Sequence, residues 1–219
     1  MYMMSQHESD ATRRERARLV ALLRREGIRD ERVLAAMARV PRHTFLPSAA
    51  RYRAYEDRAQ SIGWGQTISQ PWIVARMTEL AEVGPDSKVL DVGTGSGYQA
   101  AVLAELGAQV YGIELLAELA EQASERLDLL GYDNVDVVRG DGYGGRPDRA
   151  PYDAIIVAAA PKEVPSSLIK QLKPGGRLVI PVGPERGIQS LQLVVKTEQG
   201  EVEVSDQLPV RFVPLVRGN

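Results

Sequence analysis

The stretch Val89-Leu90-Asp91-Val92-Gly93-Thr94-Gly95-Ser96-Gly97-Tyr98 is apolar at its start and then turns on three glycines. Lys88 to Val92 reads as a short buried strand, and Tyr98 to Leu106 as the helix that follows. A turn this tight, with backbone pressed against a ligand, needs residues without a Cβ. The helix start behind it presents unpaired N–H groups and a partial positive charge. Such a turn suits an anionic or polar cofactor tail.

Spacing narrows the choice of cofactor. The dinucleotide fingerprint is G-x-G-x-x-G, and here its third glycine falls on Tyr98. The order G-x-G-x-G behind an acidic residue resembles the first motif of class I S-adenosylmethionine (SAM) methyltransferases, where the loop faces a methionine carboxylate. Asp91, Gly93, Thr94, Gly95 and Gly97 are the residues this assigns to the cofactor. Taken alone, a glycine-rich turn is also what an ordinary strand-to-helix connection looks like. Two further strand ends add weight. Glu114, followed by Leu115, ends the predicted strand Gln109 to Ile113, where nucleotide-binding folds place a carboxylate for the ribose hydroxyls. Asp141 and Gly142 follow the strand Val135 to Val138, at the level of an adenine amine.

Composition excludes several classes. The 219 residues, 44% hydrophobic and 26% charged, supply one good-sized core. No run nears the ~18 apolar residues of a membrane span. The first residues, Met1 to Glu8, lack the build of a signal peptide. A cytoplasmic protein with a disordered tip over residues 1–10 is expected. With no cysteine there is no disulfide, thiolate zinc site or thiol nucleophile. His7 and His43 are the two imidazoles, so no metal site or His-dependent triad is expected. Residues 11–60 carry thirteen Arg against six acids, whereas residues 81–170 carry fifteen acids against seven bases. The basic part suggests an anionic partner. Its arginines, however, alternate with Glu15, Glu26, Asp30 and Glu31, and those of the first helix have no aromatic between them to stack bases. Solvated helix faces are the favoured reading; neither nucleic acid nor membrane is the expected partner.

Read in order, the pattern predicts a helix over Thr12–Arg25 stopped by Gly27, and a second from an Asp30 cap to Arg39. Residues 40–70 are expected to be irregular, and a long segment of this kind is usually functional. Pro71 suits the first position of a helix to about Ala81. Beyond it strands and helices alternate: helix 116–130, strand 153–157, helix 165–171, strand 177–181. This predicts a doubly wound, mostly parallel α/β sheet with helices on both faces. Gln189–Lys196, Glu201–Val204 and Val210–Val213 follow as extended, antiparallel segments. One domain over 11–219 is expected, its residues 11–80 a helical extension and active-site loop, with Leu116, Leu119, Ala120, Ala123, Leu127 and Leu130 as a core stripe.

The methyl acceptor must be read from local residues. Amide and adenine N-methyltransferases carry an Asn/Asp-Pro-Pro-aromatic turn after the fourth strand; here that place reads Ala158-Ala159-Ala160-Pro161. The 5-methylpyrimidine enzymes need a cysteine, and the catechol enzymes a metal. A carboxylate needs neither, since a pKa near ~4 leaves it ionised at neutral pH.

Several motifs then occur in order: Val40-Pro41-Arg42-His43-Thr44-Phe45-Leu46-Pro47, Ala54-Tyr55-Glu56-Asp57, Gly65-Gln66-Thr67-Ile68-Ser69-Gln70-Pro71, the glycine turn, Leu172-Lys173-Pro174-Gly175-Gly176, and Val210-Arg211-Phe212-Val213-Pro214-Leu215. Over residues 20–216 the chain resembles the protein-L-isoaspartate (D-aspartate) O-methyltransferase family. The resemblance implies SAM as cofactor, S-adenosyl-L-homocysteine as product, no metal, and isoaspartyl proteins and peptides as substrates of a monomer. The α-carboxylate would be esterified, and the ester would close to a succinimide. It further implies Ser69 and Thr67 as catalytic, with Val210, Arg211, Phe212 and Val213 joining them in holding the peptide. Helix capping is the plainer role for Ser69, and a packed loop residue the plainer one for His43. The chain departs from the family at Ala59 and Ser61, where proline is usual, and at Trp64 and Trp72. Methylation of RNA or a small acceptor, a non-catalytic SAM-binding module and a nicotinamide-dependent dehydrogenase are the competing readings.

Overall fold

The computed structural model describes residues 9–218. Residues 1–8 of the expected tip, His7 among them, lie outside the described residues; Ser9 and Asp10 do not belong to a disordered tip, because Ser9 caps the first helix. Its hydroxyl accepts from the Thr12 amide. Helix α1 (Asp10–Arg25) is followed by α2 (Glu31–Arg39), which Asp30 caps through the Arg32 amide. Both bury one apolar stripe, Leu19, Val20 and Leu23 on α1 and Val33, Leu34 and Met37 on α2.

Residues 40–70 are more regular than expected. Two 3₁₀ turns (Arg42–Phe45 and Ser48–Arg53) lead into a hairpin of β1 (Gln60–Gly63) and β2 (Gln66–Ile68). Strands of four and three residues are too short to show a period of two. Their turn places Gly63, Trp64 and Gly65 at φ of 94°, 50° and 73°, a left-handed run that glycine permits on either side of the tryptophan. Helix α3 (Pro71–Ala81) starts on its proline as predicted.

The remaining elements are β3 (Lys88–Val92), α4 (Tyr98–Glu105), β4 (Gln109–Glu114), α5 (Ala117–Leu129), β5 (Val135–Arg139), β6 (Tyr152–Val157), α6 (Ser166–Gln171), β7 (Leu172–Val182), β8 (Gln189–Lys196) and β9 (Val202–Val210). They form a seven-stranded sheet in the order β5-β4-β3-β6-β7-β8-β9. The first five strands are parallel; β8 and β9 return antiparallel. Strand β7 begins earlier than predicted. A register irregularity opposite Tyr152 and Ala154 takes up the Lys-Pro-Gly-Gly stretch, which reads as a turn in sequence. The two late extended segments are also corrected. One strand, β9, covers 202–210, and Arg211 to Val213 lie beyond it, the backbone rejoining the sheet through a bridge from Pro214 to Ala160.

Chain order runs outward from β3 to β4 and β5 on one side and to β6 and β7 on the other. Ligands bind where the direction of winding reverses, at the carboxyl ends of the central strands. The apolar core on one face joins Val89, Val102 and Leu103 to Leu23, Leu34 and Phe45, so the amino-terminal helices share the core of the sheet. Many arginines of that half are paired: Arg24 with Glu31, Arg32 with Asp30, Arg39 with Glu105 and Arg53 with Glu56. No helix among the described residues is long and apolar enough to cross a membrane.

Candidate active site

The glycine turn hangs from the end of β4: the Gly93 amide donates to the Ile113 carbonyl at 2.9 Å. Gly97, the cap of α4, has φ of 91°, and a Cβ there would meet Leu127 at 3.2 Å. Glu114 is 7% exposed. One of its carboxylate oxygens accepts from the Gly95 amide at 2.8 Å and the other from the Leu116 amide at 3.0 Å. Each oxygen keeps a lone pair for a further donor, so this carboxylate shapes the turn and still faces the cavity.

Asp91 lies beneath the turn, fully buried, and neither carboxylate oxygen has a hydrogen-bond partner. The neighbouring Thr94 hydroxyl donates to the Asp91 backbone carbonyl at 3.0 Å. Burial pushes the Asp91 pKa up to about 7, and the charge of Glu114 adds to the rise. An orphaned buried carboxylate of this kind suits a cationic ligand group. With Glu114 open to hydroxyl donors and no Cβ on the glycines to obstruct a close approach, the residues fit an amino acid–nucleoside conjugate.

A cavity at the carboxyl ends of β3, β4 and β6 is lined by Gly93, Thr94, Gly95, Glu114, Leu115 and Gly142 from the predicted cofactor set, and by Thr67 and Ser69. Gly97 and Asp91 support it from behind. Asp141, expected beside the adenine, is not among its lining residues; its carboxylate accepts from the Tyr143 amide at 2.8 Å and the Gly218 amide at 3.3 Å, an Asx-type turn. A second cavity is lined by Ala59, Ile73, Ile188, Val210, Arg211 and Phe212. Thr67, Ser69, Ala158 and Val213 line both. The two predicted loops thus face one cavity, and the loop of Thr67 and Ser69 also faces the second.

The capping role for Ser69 is not found. Gln70 holds the cap position of α3 and no side chain of that position caps it; the Trp72 amide donates to Asp57 at 2.8 Å instead. His43 pairs its Nδ1 with the Tyr55 hydroxyl at 2.8 Å. Trp72 donates its indole N–H to the Glu26 carbonyl, tying α3 to the end of α1, and neither it nor Trp64 lines either of these two cavities. Sequence reasoning missed Ser96, Gln99, Leu116 and the Leu215–Val216 stretch of the donor-side wall. Only tertiary placement brings the last two against the turn. Ala158 on the shared wall and Ala159 in the first cavity carry no functional group, and their small side chains take up little of the space. Among the described residues there is no cluster of potential metal ligands.

The sequence profile described as Protein-L-isoaspartate(D-aspartate) O-methyltransferase matches residues 14–219. The chain is 58% identical over 190 residues to a protein-L-isoaspartate O-methyltransferase 2 of Syntrophobacter fumaroxidans, covering 87% of this chain and 77% of that one. It is 56% identical over 212 residues to a protein-L-isoaspartate O-methyltransferase of a Synechococcus species, covering 94% and 86%. A Plasmodium falciparum structure described as a protein-L-isoaspartate O-methyltransferase in complex with S-adenosyl-L-homocysteine superposes with a TM-score of 0.80 at 26% identity, over 92% of this chain and 98% of that one. With a shared wall between two cavities, and similarity along nearly its whole length, the chain belongs to the protein-L-isoaspartate (D-aspartate) O-methyltransferase family.

Proposed function

We propose that this protein transfers a methyl group from SAM to the free α-carboxylate of L-isoaspartyl residues, and to the side-chain carboxylate of D-aspartyl residues, starting their repair. One observation carries the reading: Thr67 and Ser69 face both the cavity over the glycine turn and the adjoining one. Bound SAM supplies an electrophilic methyl on a sulfonium; S-adenosyl-L-homocysteine leaves. In this reading Glu114 takes the ribose hydroxyls and Leu115 and Gly142 the base, all three lining the cavity, while Asp91, buried behind the turn with unpartnered oxygens, supplies negative charge toward the positive amino acid end.

The acceptor arrives already ionised, because a carboxylate has its pKa near ~4. No general base is needed, which agrees with His43 being engaged by Tyr55. The Ser69 hydroxyl donates to one acceptor oxygen and so aims the other at the methyl. The carboxylate oxygen forms the new C–O bond as the C–S bond breaks, and no proton moves. The gain comes from orientation and water exclusion, on the order of 7–11 kcal/mol for well-aligned partners. Val210 to Val213 offer backbone groups beside the outer cavity for the peptide. The neighbouring backbone nitrogen then attacks the ester carbonyl, methanol leaves with the amide proton, and water reopens the resulting succinimide in part as normal aspartate. By the family resemblance the protein works as a cytoplasmic monomer.

The test is a pair of peptides, one isoaspartyl and one aspartyl, incubated with methyl-labelled SAM. Label on the isoaspartyl peptide alone is expected; equal labelling, or none, defeats the reading. Ser69→Ala is expected to lower kcat by roughly ten-fold or more with little change in cofactor affinity. A change confined to cofactor affinity would reassign the hydroxyl.

A further inference from the structure

Arg42 is the largest of the fully buried side chains, at 0% exposure. Its Nε donates to the Ala54 carbonyl at 2.9 Å and its Nη2 to the Ser69 carbonyl at 2.8 Å. The guanidinium lies over the Tyr98 ring at 4.7 Å, and Nη1 has no partner. Among the described residues no carboxylate pairs with it; Asp57 attracts it only at longer range. Burial pulls its pKa below the ordinary guanidinium range. A buried cation without a counter-ion is expensive, and an apolar side chain of similar volume would serve plain packing better.

Its contacts explain why a guanidinium stands there. Tyr98 is the first residue of α4 after the glycine turn, and Ser69 lies in the loop opposite. Arg42 therefore spans the serine loop and the start of α4 behind the glycine turn, which both line the first cavity. Asp57 grips the same loop from its other end: one oxygen accepts from the Gln70 side chain at 2.9 Å and the other from the Trp72 amide at 2.8 Å. The planar fork of arginine satisfies two carbonyls in fixed directions, which a flexible ammonium does not.

We propose that Arg42 is a positioning residue of the methyl transfer: with Asp57 it clamps the Ser69–Gln70 peptide and registers the serine hydroxyl against the glycine turn. This rests on the proposed carboxyl methylation for its kinetic consequences, but the clamp itself is a property of the ligand-free protein.

The test is a double-mutant cycle of Arg42→Lys and Ser69→Ala, with kcat and KM measured on an isoaspartyl peptide. Thermal unfolding and S-adenosyl-L-homocysteine affinity are recorded for each variant. Arg42→Lys is expected to lower kcat roughly ten-fold, leave homocysteine-conjugate affinity nearly unchanged, and lose most of that effect in the Ser69→Ala background. An equal loss in both backgrounds, or an undiminished kcat, overturns the proposal. Should Arg42→Lys lack a cooperative thermal transition, Asp57→Asn takes its place in the cycle, with the same results expected and the same results overturning the clamp. Hydrogen exchange in the ligand-free variant that folds gives the second readout. Faster exchange over residues 67–73 than over α4 is expected, and unchanged exchange there overturns the clamp. Wild-type protein that fails to distinguish the two peptides defeats the proposed function, while the exchange measurement still decides on Arg42.

Discussion

Asp91 bears both on stability and on the cofactor. In the ligand-free protein its carboxyl titrates at about 7, raised by burial and then by Glu114. The unfolded chain gives up this proton near pH ~4. Between these values the folded state alone holds it, so the stability it confers is complete below about pH 4 and is lost as pH climbs to about 7. Asp91→Asn, which cannot ionise, should gain on the wild type by on the order of 1–3 kcal/mol between about pH 5 and pH 8. Urea unfolding at both pH values checks this; a pH-independent difference would contradict it. The same variant should bind S-adenosyl-L-homocysteine more weakly. Gly97 gives a second prediction at this scale. Gly97→Ala places a Cβ at φ of 91° and 3.2 Å from Leu127, and should cost about 1–2 kcal/mol in backbone strain alone. Thermal unfolding reads that loss, and a variant as stable as wild type would refute it.

Between elements, α3 is joined to the start of α2 by one side chain. Glu79 accepts from the Arg29 amide at 2.7 Å and the Asp30 amide at 2.9 Å, and pairs with Arg76. Burial alone would raise its carboxyl, but the two amides and Arg76 outweigh it and leave the pKa below the usual value. Stability from this group is thus present above the ordinary glutamate pKa and disappears as pH falls through the lowered one. Glu79→Gln should destabilise by about 1–2 kcal/mol near pH 7, with the penalty shrinking in acid; a penalty that grows in acid would reverse the assignment. The hairpin shows where sequence reading stops. Pro71 announces α3, Asp30 announces α2, and the apolar runs of β3, β4 and β6 stand out, because each is a local signal of period or punctuation. The hairpin of β1 and β2 is held by Ile62, 6% exposed and in contact range of the glycine turn, a relation between residues 62 and 95 that no window of sequence contains. Glu114 could be read from its spacing to the glycines. Asp57 as the acceptor for the Trp72 amide could not, since Ser69 and Gln70 are the nearer and more obvious caps.

For the molecule as a whole, ligand and fold are linked through the glycine turn. S-adenosyl-L-homocysteine at a hundredfold excess over its Kd should add about 2.7 kcal/mol, or roughly 5–10 °C in Tm for a chain of this length. Calorimetry with and without the compound measures it, and an unmoved transition would mean that the cavity does not take this ligand. The polarity of the surface also divides: many arginines of the amino-terminal half are paired with carboxylates, within that half as with Arg24 and Glu31, or on the sheet side as with Arg39 and Glu105. The donor-side wall gathers residues from Gln66 to Val216. Because its pieces are far apart along the chain, the wall is complete only when the serine loop, the central strand ends and the carboxyl-terminal segment have all docked. A copy of this protein that is itself ageing would then fall silent as soon as its tertiary order slackens, well before it could modify the wrong peptides.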